Sequence, residues 1–187
     1  RRQELSKHDR IEVVIAGMGG QGIVLMGTVL GTAAVECERK YATQVSSYGT
    51  ETRGSPAKSQ VVISSGRIGY PEVRQTDVLV AMAQAALDQH SKKLSKEATV
   101  IVDSDLVKII SSTLEKVKRI PATKLSEESF GSRNYANMVM FGALVRLTGL
   151  VSIEGARNAI RATVPQGTIE SNLRAFELGV GAVENSK

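Results

Sequence analysis

The chain alternates between short apolar runs and longer stretches with helical spacing. Ile11–Ala16 (IEVVIA) is nearly all apolar and ends at a glycine, which predicts a buried strand. Gln21–Arg39 carries good helix formers and small residues, and predicts a helix. Tyr41–Ser46 (YATQVS) predicts a second strand, and the polar Ser47–Ala57 stretch (SYGTETRGSPA) a loop. Lys58–Ser64 (KSQVVIS) alternates polar and apolar, as a half-exposed strand does. Asp77–Met82 (DVLVAM) and Ala98–Val102 (ATVIV) predict buried strands, with a helix over Ala83–His90 and a short strand over Lys116–Ala122. The strands then stop. Asn134–Leu147, Ile153–Ala162 and Thr168–Asn185 predict helices separated by Gly149 and Pro165.

Strands alternating with helices predict an α/β fold with an open, mostly parallel sheet, helices on both faces and a helical C-terminal layer. Lys58–Ser64 follows a loop and not a helix, so an antiparallel or edge position is expected for it. No internal repeat or long linker divides the chain. Residues 1–10 read as a polar tail and 11–187 as one domain.

Composition narrows the chemistry. The chain has 187 residues, enough for a sizeable core, and with no Trp that core must be aliphatic. A single cysteine, Cys37, excludes an internal disulfide and a cysteine-ligated cluster or zinc site within the chain. The net charge of +5 is scattered, without basic stripes interleaved with aromatics, which argues against nucleic-acid binding and leaves an anionic ligand or acidic partner. The first ten residues hold no apolar signal stretch, and no apolar run approaches ~18 residues. A cytoplasmic protein without a membrane span is expected.

The candidate chemistry begins at Ile15–Gly27 (IAGMGGQGIVLMG), where Gly17, Gly19 and Gly22 fall in the spacing G-x-G-x-x-G. Glycines let a backbone approach an anion closely, and a helix that follows offers free N–H groups and a partial positive charge. Gly17, Gly19, Gly20 and Gly22 supply the turn, and Gln21 can bond a ligand or the loop itself. A dinucleotide site also needs an acid about 20 residues on, at the end of the second strand. Glu36 and Glu38 precede that strand and Glu51 lies beyond it. Close helix–strand packing with nothing bound explains the same glycines.

A second loop, Ser47–Gly54 (SYGTETRG), should lie near the first at the carboxyl edge of the sheet. Tyr48 offers a stacking ring, Glu51 a carboxylate, and Arg53 a planar cation suited to phosphate or carboxylate. GMGGQG, SYGTETRG, KSQVVIS and DVLVAM in this order, followed by IVDSDLV, NMVMFGALVRLTGL and NLRAFELG, resemble the gamma subunit of 2-oxoacid:ferredoxin oxidoreductases over nearly the whole chain.

The resemblance implies a Rossmann-like gamma-type domain over 11–187 in a heteromeric enzyme. That enzyme oxidatively decarboxylates pyruvate, 2-oxoglutarate or a similar 2-oxoacid to an acyl-CoA and passes electrons to ferredoxin. It implies thiamine diphosphate, Mg²⁺ and iron–sulfur clusters on partner alpha and beta subunits, with delta a further candidate, and no catalytic or metal-binding residue here. It places the chain beside the region where coenzyme A enters. Gly17, Gly19, Gly20, Gln21, Gly22, Tyr48, Glu51, Arg53 and Gly54 are the residues it offers for that contact. A stand-alone NAD(P)- or flavin-binding oxidoreductase and a pure assembly scaffold are the alternatives, and self-association of the isolated chain is left open. One departure is visible: the family commonly has a glycine at the turn before the second strand, where this chain reads Cys37-Glu38-Arg39-Lys40.

Other polar residues have plainer readings. His8 and His90 are expected to be exposed, and Cys37 to be a bystander. Asp103-Ser104-Asp105 is expected to cap a following helix, with ligand binding as the alternative. Asn137 and Asn172 suggest caps or subunit contacts. Met138, Met140, Phe141, Leu144 and Leu147 read as core or interface, with close packing at Gly142 and a helix end at Gly149.

Overall fold

In the computed structural model, which describes residues 10–49, 54–114 and 116–184, six strands form one sheet in the order β2-β3-β1-β4-β5-β6. They are β1 (Arg10–Met18), β2 (Tyr41–Tyr48), β3 (Pro56–Ser64), β4 (Thr76–Ala81), β5 (Leu94–Asp103) and β6 (Val117–Ile120). The helices are α1 (Ile23–Thr32), α2 (Gln84–His90), α3 (Ala122–Phe130), α4 (Ala136–Thr148), α5 (Ile153–Thr163) and α6 (Ile169–Glu184). β1, β4, β5 and β6 run parallel. The open, mostly parallel α/β sheet is as expected.

β3 is antiparallel, but it is not an edge strand. It lies between β1 and β2 and pairs with both along its whole length. The reason is local: only seven residues, 49–55, join β2 to β3, so the second strand returns as a hairpin beside the first. The predicted loop over Ser47–Ala57 is correspondingly shorter, because Ser47 and Tyr48 finish β2 and Pro56 and Ala57 begin β3.

The two faces of the sheet are covered unequally. Val13, Ile15, Val61, Ile63, Val80, Ile101 and Ile120 face a large cluster built by α1, α4, α5 and α6. Val14, Ala16, Leu79, Ala81, Val100 and Val102 face a smaller cluster under α2. Val107, Ile110 and Leu114 also pack on that second face, and the 65–75 segment lies over its β1–β3 side. Glu12 accepts hydrogen bonds from the backbone N–H groups of Arg74 and Gln75, and Gln60 Oε1 accepts from the Val73 N–H at 3.0 Å. The Arg10 guanidinium donates to the carbonyls of Tyr70 and Glu72.

The predicted Gln21–Arg39 helix breaks into α1 and a wider π turn at Ala33–Cys37. At the turn that follows, Arg39 takes φ 54, the left-handed conformation that a glycine adopts freely. α3 was not predicted. Of its nine residues only Ala122, Leu125 and Phe130 are apolar, too few for the sequence pattern to announce a helix. α4 starts at Ala136, after a 3₁₀ turn over Arg133–Tyr135. Met138, Met140, Phe141 and Leu144 are fully buried in it, Leu147 packs at the edge of the core, and Gly149 ends the helix at φ 61.

Candidate functional site

The carboxyl end of β1 runs into Met18, Gly19 and Gly20, and α1 begins at Ile23. The two loops picked out in the sequence meet here. The Gly19 N–H donates to the Ser55 carbonyl at 2.7 Å, and Met18 pairs with Pro56 across β1 and β3.

Within the glycine loop the residues divide by task. Gln21 is committed internally: its Oε1 accepts the Met18 N–H at 2.7 Å and its Nε2 donates to the Met82 carbonyl at 2.9 Å. It thereby ties the loop to the end of β4. Gly17 is buried, and any side chain there would strike Gln21, Ile23 and Met82. Gly22 stands at the head of α1 with φ 70, the buried Asn137 packs against it, and Asn137 Nδ2 donates to the Gly22 carbonyl at 3.3 Å. Asn137 is therefore a brace for the loop. Its Oδ1 is buried without a hydrogen-bond partner among the described residues. Gly20, at φ 93, faces open space and is exposed, which makes it the loop's accessible backbone.

Across from the glycine loop, Tyr48 is 62% exposed at the end of β2, and Gly54 is exposed at φ 76 with open space about it. Glu51 and Arg53 lie outside the described residues.

Between the loops and α2 lies a cavity of about 230 Å³. Gly17, Met18, Ser47, Tyr48 and Gly49 line one side, and Ala85, Ala86, Gln89 and His90 the other, with Lys58 between. Register explains the grouping. Ala16, Lys58 and Ser47 are cross-strand partners on β1, β3 and β2, so their side chains share the α2 face. His90 is half-buried at the end of α2 and not exposed as expected, because the sheet supplies the opposite wall. Burial lowers its pKa, and the nearby Lys58 and Lys93 charges lower it further. Neither Lys58 nor His90 was picked out as a site residue. Lys58 reads as the exposed position of an alternating strand, and only the interior placement of β3 brings it opposite α2.

The dinucleotide reading loses ground on topology. The ribose acid of such sites stands at the carboxyl end of the strand beside β1. Here that neighbour is β3, which runs the other way and presents its first residue, Pro56, at that place. Asp103-Ser104-Asp105 also corrects an expectation, since no helix follows it directly. Asp103 accepts the Asp105 N–H and the Thr123 hydroxyl, and Asp105 accepts the Lys124 N–H at 2.7 Å in the first turn of α3. The pair links β5 to α3. Asp103 is fully buried, and burial raises its pKa despite the bonds from Thr123 and Asp105. Cys37 is exposed, with its Sγ against the Gly155 carbonyl, and Asn172 bonds the Thr168 carbonyl one turn back.

The residues do not fit a thiamine–metal centre or a cluster. The chain has one cysteine, and among the described residues no three of His, Cys, Asp and Glu come together. Among those residues, too, no helix is long and apolar enough to cross a membrane.

The fold and the paired loops are those of an α/β subunit of a larger oxidoreductase. The chain belongs to the pyruvate ferredoxin/flavodoxin oxidoreductase family, whose sequence profile matches residues 12–182, and it is a gamma-type subunit of the 2-oxoacid:ferredoxin oxidoreductases. It is similar to 2-oxoglutarate synthase subunit KorC of Methanothermobacter thermautotrophicus, 46% identical over 91% of this chain and 93% of that protein. The gamma subunit of a keto/oxoacid ferredoxin oxidoreductase from Geobacter sulfurreducens is 35% identical, with a TM-score of 0.84 over 94% of this chain and 99% of that one. A 2-oxoglutarate:ferredoxin oxidoreductase from Magnetococcus marinus, solved with 2-oxoglutarate, coenzyme A and succinyl-CoA bound, shares the fold over 96% of this chain and 32% of that one. Its TM-score is 0.82 and its identity 23%.

Proposed function

We propose that this subunit completes the coenzyme A side of the active-site cavity in a cytoplasmic 2-oxoacid:ferredoxin oxidoreductase. Alpha and beta subunits, with delta a further candidate, carry thiamine diphosphate, Mg²⁺ and the iron–sulfur clusters, and electrons reach ferredoxin through the assembled complex. The observation that carries this reading is the union of the two loops at one sheet edge, tied by the Gly19–Ser55 hydrogen bond and sharing one cavity. That edge is where open α/β sheets hold ligands. The accessible Gly20 backbone, Gly54 and the exposed Tyr48 ring are suited to a nucleotide-like thioester carrier, and Arg53 to its anionic groups. The Magnetococcus enzyme, which shares the fold, binds coenzyme A and supports the choice of ligand.

The test uses the assembled complex with Tyr48→Ala and Arg53→Ala. Each variant is expected to fold normally and to raise the KM for coenzyme A by about tenfold, the equivalent of one charged hydrogen bond or stacking contact. Wild-type kinetics together with wild-type assembly in both variants would reject the proposal.

A further inference from the structure

The two edges of the sheet are built differently. β6, at one edge, has four residues, of which Lys118 and Arg119 are charged and exposed. A short, charged edge resists the addition of another strand. β2, at the other edge, has eight residues (YATQVSSY) with no charge and no proline, and pairs with β3 in continuous register. Among the described residues no strand lies on its outer side. An edge of this length and composition is a template for a further strand.

The alternation of backbone hydrogen bonds shows which groups this edge offers. The Ser55 carbonyl accepts the Gly19 N–H on the β1 side, and the next carbonyl, of Pro56, accepts the Gly49 N–H at 2.9 Å on the β2 side. With Tyr48 opposite Ala57, this turns the backbone of Tyr41, Thr43, Val45 and Ser47 toward β3. The N–H and C=O groups of Ala42, Gln44, Ser46 and Tyr48 therefore point away from the sheet. The flanks of the edge are apolar. Of the five large apolar side chains that stay exposed among the described residues, Tyr41 and Tyr48 stand at its two ends. Val35 lies in the π turn that precedes it, and Tyr70 adjoins Pro71, whose carbonyl accepts the Thr43 hydroxyl at 3.2 Å. Exposed tyrosines beside outward backbone groups suit an interface better than a solvated edge.

Two observations choose the partner. A second copy would bring a like net charge of +5, which works against self-association. Relatives of this chain are subunits of larger enzymes, and in the Magnetococcus enzyme the same fold occupies 32% of a longer chain. We infer that the β2 edge receives an extended, uncharged segment of another subunit of the same enzyme, which joins the sheet as a further strand. The inference rests on the chain's place in a heteromeric enzyme and not on the coenzyme A reading.

The experiment measures amide hydrogen exchange, residue by residue, in the isolated chain and in the assembled complex. In the isolated chain the Thr43, Val45 and Ser47 amides are expected to be protected, and those of Ala42, Gln44, Ser46 and Tyr48 to exchange freely. In the complex the second set slows by about tenfold or more, the closing of one hydrogen bond each, and the first set changes less. Ser46→Pro deletes one outward N–H, which an edge strand tolerates, and Ser46→Lys sets a charge on the edge. Both variants are expected to melt like the wild-type chain and to bind the partner subunits about tenfold more weakly or worse. Slow exchange of the second set in the isolated chain overturns the inference. It assigns the edge to the chain's own residues 1–9 if it is independent of concentration, and to a second copy if it is not. Unchanged exchange of the second set in the complex, or wild-type assembly of both variants, overturns it as well. If Ser46→Pro does not fold, Ser46→Lys still reads assembly. Should the edge fail while Arg53→Ala raises the KM for coenzyme A, the coenzyme A reading stands alone.

Discussion

On one face of the sheet Val13, Ile15, Val61, Ile63 and Val80 meet four helices through aliphatic contact. On the other, Glu12, Gln60 and Thr43 meet the 65–75 segment through hydrogen bonds, and Lys58 faces a cavity. The first face derives its stability from packed volume, where every methyl group counts. The second is held by directional polar contacts that leave space between them. The difference teaches where function can reside: the apolar face is filled by packed side chains, while the polar face has room for a ligand without opening the core. The candidate site thus lies on the polar side of the sheet, at the end where both loops emerge.

The contrast is tested most severely at the α4–α6 seam, deep on the apolar face. A side chain on Gly142 would drive into the Phe176 carbonyl, and one on Gly179 into the Val139 carbonyl, so the two backbones touch. Gly142→Val is expected to destabilise the chain by about 3 kcal/mol or more, because neither helix can retreat without unpacking Phe141 from Phe176. Urea unfolding of the full chain measures this. A loss below about 1 kcal/mol would mean that the seam yields, and the distinction between a rigid and an adaptable face would collapse.

Gln21 stands between the faces and predicts a middle effect. Its amide clasps the end of β1 to the end of β4. Gln21→Leu keeps the bulk but leaves the Met18 N–H and the Met82 carbonyl without their partner. The expected cost is about 2 kcal/mol, with faster hydrogen exchange at the Met18 amide. An unchanged midpoint with lost coenzyme A affinity would reverse the assignment and make Gln21 a ligand residue.

Much of this was legible in the chain. The strands announce themselves as apolar runs, and the two loops as motifs with unusual residue types. What escaped was long-range. The pattern KSQVVIS predicts a strand but not its neighbours: the short 49–55 connection accounts for its pairing with β2, while its pairing with β1 is long-range. That placement moves the second strand away from the first, turns Lys58 toward α2, and gives His90 a wall. Asn137 reads in the sequence as a cap or a subunit contact, yet its partner Gly22 lies 115 positions away. The glycine loop was legible as geometry. That Gln21 and Asn137 brace it from inside required the fold.

The smallest expected effect lies at Glu12, where the polar face is fastened. Burial pushes its pKa up, but hydrogen bonds from Gln75, Arg10 and Arg74 together outweigh burial and hold it below the ordinary 4.5. A carboxylate whose folded pKa is depressed stabilises the fold above its unfolded pKa, and that stability is lost as the pH falls through the folded value. Glu12→Gln keeps one acceptor for the Arg74 and Gln75 amides but sets an NH₂ against the Arg10 guanidinium. It is expected to cost about 1–2 kcal/mol at pH 7. Wild type and variant should converge as the pH drops below 4.5, since the wild-type advantage is the ionised group's alone. Asp103, whose pKa burial raises, changes stability with pH in the opposite sense, equally in both proteins, and cancels from the difference. Unfolding free energies of the two proteins across acid pH decide the matter. Parallel curves would show that the 65–75 segment is held by packing, as the other face is, and that the two faces do not differ in kind.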